Sequence, residues 1–168
     1  VAMNPAALKA DLHRLEPGGT VIVNEDAFEE RNLEKAGYLD AGGTPLNPLD
    51  DDTLNGYRVL KVPMSSLTKK VCEPLGVKPR DAERSKNFFA LGLVSWMYTR
   101  PTGPTEEWIQ EKFGKNEKVA AANKAAFHAG FHFGETTEAV GHRFEVRPAK
   151  LPAGEYTSIT GNTALSWG

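Results

Sequence analysis

Arg84-Ser85-Lys86-Asn87-Phe88-Phe89-Ala90-Leu91-Gly92-Leu93-Val94-Ser95-Trp96-Met97 is a polar, cationic tetrad opening directly into an almost wholly apolar run. Wound as a helix, the run carries apolar side chains on every side of the wheel. It therefore predicts a helix buried on most faces, not an amphipathic surface helix. Such a helix has to lie at the centre of a fold. Ala90, Gly92 and Ser95 are small enough to let another backbone approach closely. The tetrad is expected at the N-terminal end of this helix, where Arg84, Lys86 and Asn87 add two cations and an amide to unpaired N–H groups that already favour anions. An ordinary solvated first turn fits the same residues.

Working outward toward the N-terminus, Ser65 or Ser66 is expected to cap a helix that runs through Leu75 and ends at Gly76. Before it, Tyr57-Arg58-Val59-Leu60-Lys61-Val62 reads as a strand stopped by Pro63. Residues 38–56 hold three glycines, two prolines and four aspartates, and read as loop. A helix is expected from Ala27 to Ala36, with Gly37 as its C-cap. Thr20-Val21-Ile22-Val23-Asn24 is a continuous β-branched run, the pattern of a strand buried on both faces. Asn4-Pro5 suits an N-cap and first helical position for the stripe Leu8, Leu12 and Leu15, closed by Pro17-Gly18-Gly19. Val1-Ala2-Met3 then reads as the last residues of a strand.

Strand and helix thus alternate three times, the spacing of parallel βαβ units. The fold class expected is α/β: an open, mostly parallel or mixed sheet with helices on both faces. Ligands of such sheets bind beyond the carboxyl ends of the strands, which here are Asn4, Asn24 with Glu25 and Asp26, and Pro63 with Met64. Strand-end asparagines suit a polar crevice, and equally a helix cap or an Asx turn.

Toward the C-terminus, a turn at Pro101–Pro104 leads to a helix from Thr105 to Phe113. A long alanine-rich helix from Glu117 to Phe133 follows, closed by Gly134, with a polar loop to Glu138. Arg143-Phe144-Glu145-Val146-Arg147 alternates charged and apolar, the pattern of an edge strand near the C-terminus. Pro148 to Gly154 reads as linker, and the tail from Tyr156 as a helix just begun. Both ends therefore read as cut, and a fragment of a longer protein is expected.

Composition narrows the function classes. The 168 residues carry a net charge of −2, which argues against nucleic acid or an anionic membrane as the main partner. There is no apolar run of transmembrane length, and Val1-Ala2-Met3 leads straight into Asn4-Pro5 without a signal-peptide pattern. A single cysteine, Cys72, excludes an intrachain disulfide or a cysteine cluster site and fits a reducing, cytoplasmic location. His128 and His132 lie four apart on the long helix, with Glu135 and His142 beyond, but no His-Glu-x-x-His pattern accompanies them. No nucleophile elbow, Walker loop or dinucleotide fingerprint is present.

Four segments in order are more specific than any one of these features: Val1-Ala2-Met3-Asn4-Pro5-Ala6-Ala7-Leu8, Arg84–Gly92, Phe133-Gly134-Glu135-Thr136-Thr137-Glu138 and Ile159-Thr160-Gly161-Asn162-Thr163-Ala164-Leu165. Together they resemble the gamma-type domain of a 2-oxoacid:ferredoxin oxidoreductase, in the form fused into the alpha subunit of the 2-oxoglutarate type. The resemblance implies a gamma-type domain over 1–153, lacking the family's N-terminal glycine-rich segment, and over 154–168 a linker and the start of a thiamine-enzyme domain. It implies a hetero-oligomer of alpha and beta subunits that decarboxylates a 2-oxoacid on thiamine diphosphate with Mg. Electrons would pass through 4Fe-4S clusters to ferredoxin, and the acyl group to coenzyme A. No catalytic residue, no metal ligand and no bound cofactor is expected in this segment, which alone should be inactive. Arg84, Lys86 and Asn87, with Asn4 and Asn24, are the candidate contacts to coenzyme A or to a neighbouring domain. The alternative is a non-catalytic scaffold or interaction domain of the same fold.

Overall fold

A computed structural model describes residues 1–137, 141, 143–147 and 149–167. Its middle layer is a small parallel sheet. Strand β1 (Thr20–Asn24) pairs with β2 (Arg58–Val62) in the register Thr20↔Arg58 to Asn24↔Val62. On the other side of β1, Ala2 forms a parallel bridge with Val23, donating its N–H to Ile22 O at 2.7 Å and accepting from Asn24 N–H at 3.0 Å. The opening residues are thus a third parallel element, as the sequence implies.

β1 is buried on both faces, and its alternation divides the core. Val21 and Val23 pack with Leu8 of α1 (Pro5–Asp11), with Phe28, and with Leu33 of α2 (Glu30–Ala36). Ile22, with Val62, packs on Met64, Phe89, Leu93, Trp96 and Ala126. These last come from α3 (Met64–Cys72), α4 (Pro79–Met97) and α6 (Glu117–Thr137). Helices therefore cover both faces, the α/β arrangement expected. α5 (Gly103–Phe113) packs on α6, and α7 (Gly161–Trp167) lies in the exposed tail.

α4 and α6 cross at two glycines. A Cβ on Gly92 would run into the Phe127 carbonyl and lie 2.9 Å from Phe131 N; one on Gly130 would run into the Phe89 carbonyl and lie 2.7 Å from its carbon. Backbone rests on backbone there, which is how two buried helices come close enough to share Phe89, Phe127 and Leu93 without a void.

Four expectations are corrected. α4 begins at Pro79, so Arg84, Lys86 and Asn87 lie well inside the helix, not at its N-terminus. α6 continues through Gly134 to Thr137, because Gly134 lies under the Trp96 ring where a side chain has no room. Residues 143–147 form no strand: Phe144 N–H donates to Met97 O at 2.7 Å, Thr99 Oγ1 donates to Phe144 O at 2.9 Å, and Phe144 stacks on Tyr98. The segment straps the C-terminal end of α4. Finally, neither Ser65 nor Ser66 caps α3 with its own side chain. Glu138 and His142 lie outside the described residues.

Candidate functional site

The carboxyl ends of the strands are closed by their own polar side chains. Asn4 N-caps α1, its Oδ1 accepting from Ala7 N–H at 2.9 Å. Asn24 is fully buried. Its Nδ2 donates to Met3 O at 3.4 Å and Ser65 Oγ at 3.0 Å, and its Oδ1 accepts from Ser65 N–H at 3.3 Å. One amide thus ties the ends of β1 and of the opening segment to the first turn of α3. Asp26 does the next part, accepting from Ser66 N–H at 2.7 Å and Ser66 Oγ at 3.0 Å. These two residues cap α3 from across the sheet. The cap reading of Asn4 and Asn24 accounts for the bonds they make.

From Ser66 a groove of about 610 Å³ runs along α3 to the N-terminus of α4, bordered by Lys69, Lys70, Glu73, Pro79 and Glu83. Lys69 and Lys70 are exposed and have no ion-pair partner among the described residues. Lys86 is half-buried and pairs with Glu83 at the rim. Its cation is therefore held beside the groove. Cys72 lies at the groove floor with its Sγ toward Ala122 O at 3.8 Å, and burial raises its thiol pKa above the usual range. Thr68, one turn before it on the same face of α3, has a buried hydroxyl with no partner among the described residues.

The three polar residues of the central stretch do not form one cluster. At about 100° per residue, Arg84 and Asn87 share one face of α4 while Lys86 points nearly the opposite way. Arg84 and Asn87 are exposed, on a stripe that continues through Leu91 (41% exposed) and Tyr98 (38% exposed). Further along, Leu91, Tyr98, Pro104 and Val146 line a second, shallower hollow of about 370 Å³. Lys69 and Lys70, absent from the sequence-based candidates, bring positive charge to the groove, and Glu73 and Glu83 bring negative charge to it. The lysines' signal was a Lys-Lys pair one turn after a strand-end Ser-Ser, in the crevice position of an open α/β sheet.

His128 lies 3.4 Å from Glu106 and His132 3.0 Å from Glu135, and no three His, Cys, Asp or Glu side chains converge on one point among the described residues. No described helix is long and apolar enough to cross a membrane.

The family model described as pyruvate ferredoxin/flavodoxin oxidoreductase matches residues 1–133. The chain is 50% identical over all 168 residues to the 2-oxoglutarate oxidoreductase subunit KorA of Mycobacterium tuberculosis, and it spans 25% of that protein's length. The solved structure of 2-oxoglutarate:ferredoxin oxidoreductase from Magnetococcus marinus with 2-oxoglutarate, coenzyme A and succinyl-CoA bound superposes with a TM-score of 0.57. That superposition covers 87% of this chain and 21% of the other at 24% identity, a likeness of fold.

Proposed function

Since the chain belongs to the pyruvate ferredoxin/flavodoxin oxidoreductase family, we propose that it is the gamma-type part of an enzyme that oxidatively decarboxylates 2-oxoglutarate to its acyl-CoA with ferredoxin as electron acceptor. The observation that carries this reading is the 50% identity to a 2-oxoglutarate oxidoreductase subunit over all 168 residues. On this reading residues 1–153 are the gamma-type domain and 154–168 lead into a thiamine-enzyme domain of the same chain. A beta subunit and ferredoxin are the further partners, in the cytoplasm.

The chain's own residues do not suit the redox groups. A 4Fe-4S cluster takes four cysteine thiolates, and this chain has one, buried against Ala122. Nor do its described carboxylates and imidazoles converge as ligands for the Mg that would accompany thiamine diphosphate. In the proposed complex, thiamine diphosphate would supply the carbanion chemistry of decarboxylation from residues outside this segment. What this segment offers is a groove at the crevice edge of its sheet in which Lys69 and Lys70 stand opposite Glu73 and Glu83, and the proposal gives it the approach of coenzyme A. Lys69, Lys70 and Lys86 would face the phosphates, as ammonium groups suit them.

The outward stripe of α4 favours a second role for the remaining candidates. Arg84 and Asn87 sit above exposed Leu91 and Tyr98, a mixed surface suited to packing against a neighbouring domain. One pair of variants separates the roles in the assembled complex. Replacing Lys69, Lys70 and Lys86 by alanine should raise the KM for coenzyme A with kcat little changed, by roughly 10- to 100-fold if one or two charge-assisted contacts are lost. Replacing Arg84 and Asn87 should reduce assembly and leave coenzyme A kinetics normal in what assembles. An unchanged KM in the triple variant overturns the groove assignment. A complex that reduces ferredoxin with no 2-oxoacid overturns the enzyme reading itself.

A further inference from the structure

Away from the groove, α6 carries a second concentration of chemistry. The rings of His128 and His132 lie 6.2 Å apart and within 22° of parallel, one helical turn from each other. His132 Nδ1 is 3.0 Å from Glu135 Oε2. With Nδ1 donating to the carboxylate, the neutral ring is the tautomer whose lone pair is on Nε2. His128 Nε2 lies 3.4 Å from Glu106 Oε1, which reaches over from α5. Metal–nitrogen and metal–oxygen bonds of about 2.0–2.2 Å at a tetrahedral angle set two ligand atoms about 3.4 Å apart. The His128–Glu106 pair, joined without an ion by a shared proton, has the spacing of one edge of such a tetrahedron, and a metal would displace that proton.

We propose that His128, His132 and Glu106 form a surface site for a borderline divalent transition metal ion, for which Zn²⁺ is the probe, with water as the fourth ligand. His132 has to swing its ring toward His128, since no three such groups yet converge among the described residues. Its side chain is 63% exposed, so solvent rather than packing lies in the way. Glu135 on Nδ1 fixes the tautomer that presents Nε2, the outer-shell partner that ligating histidines usually have. The bound ion would clamp α5 to α6. Two imidazoles and one carboxylate suit Zn²⁺, whereas Mg²⁺ and Ca²⁺ prefer oxygen ligands. The site is independent of the coenzyme A reading.

The test is calorimetric titration of the 168-residue chain, free of any histidine tag, with ZnCl₂ and then MgCl₂. The proposal expects one saturable Zn²⁺ equivalent, no Mg²⁺ response, and a rise in Tm with Zn²⁺. His132→Ala and Glu106→Gln should each weaken binding by roughly tenfold or more, since each removes one of three protein ligands. The His128→Ala/His132→Ala pair should abolish it. All three positions are at least partly exposed, so these variants should fold. Absence of saturable Zn²⁺ binding, or equal binding by the double variant, would overturn the proposal.

Discussion

Gly92→Ala tests the crossing on which the whole architecture depends. The added methyl would meet the Phe127 carbonyl far inside van der Waals contact, and would lie 2.9 Å from both Phe127 C and Phe131 N. All three are backbone atoms of a helix, so no flexible side chain can yield; α4 and α6 must separate by about an ångström. Overpacking of a dense core costs about 1–3 kcal/mol. Here rigid backbone takes the strain and contacts of Phe89, Leu93 and Phe127 are loosened with it, so about 3 kcal/mol or more is expected. Alanine returns about 1 kcal/mol through helix propensity, leaving a net loss of roughly 2 kcal/mol or more. At about 2–4 °C per kcal/mol for a chain of this size, Tm should fall by roughly 4–8 °C. Gly130→Ala meets Phe89 in the mirror-image contact and should behave alike. The double variant should cost less than the two singles together, because the helices separate only once. Gly103→Ala, which meets nothing within 4 Å, is the control. Thermal unfolding by circular dichroism reads all four. A Gly92→Ala protein as stable as the parent, or more stable, would refute the close crossing, since propensity alone would then decide the sign.

Two further outcomes follow from buried polar groups. Asn24→Leu keeps the branched outline but strands Met3 O and the Ser65 backbone N–H; at about 1–3 kcal/mol per unpaired group, urea unfolding should show a loss of roughly 2–6 kcal/mol, and a loss below about 0.5 kcal/mol would mean that water replaces the amide. Burial holds the Cys72 thiol neutral and raises its pKa, so the native protein should resist iodoacetamide at pH 8 and be alkylated at once in urea. A raised folded pKa gives stability that is fully present below the unfolded thiol pKa and is lost as pH rises through the folded value. Cys72→Ser should therefore flatten the stability loss above about pH 8.5, and an unchanged alkaline slope would argue against a buried thiol.

Local signals carried much of the fold. The unbroken Thr20–Asn24 run foretold a strand covered on both faces, and Gly37 and Gly76 close their helical segments with φ of 71° and 57°, as a C-cap requires. What was missed depended on partners distant in sequence. Gly134 reads as a stop until Trp96 is seen to lie on it. The α3 cap reads as Ser65 or Ser66, because nothing local shows that Asn24 and Asp26, about 40 residues earlier, accept those N–H groups. The alternation at 143–147 reads as a strand, yet Phe144 and Val146 spend it on Tyr98 and the α4–α5 hollow. The start of α4 is legible in sequence: Pro79 at the first helical position and Asp81 in the first turn are N-terminal signals. The apolar run after Arg84 drew the boundary inward.

That misplaced boundary changes the functional argument more than the fold. With α4 starting at Arg84, the helix dipole would have joined Arg84, Lys86 and Asn87 into one anion site. Starting at Pro79, the helix turns them to two sides, and the dipole, which acts within the first turn, reaches none of them. Lys86 pairs with Glu83, which borders the groove opposite Lys69 and Lys70. Arg84 and Asn87 belong with Leu91 and Tyr98. A single cluster could not have served coenzyme A and a neighbouring domain at once, since occupying it for one would bar the other. Two faces can, so under the proposed function one helix would border both the ligand's approach and the surface that packs on a neighbouring domain.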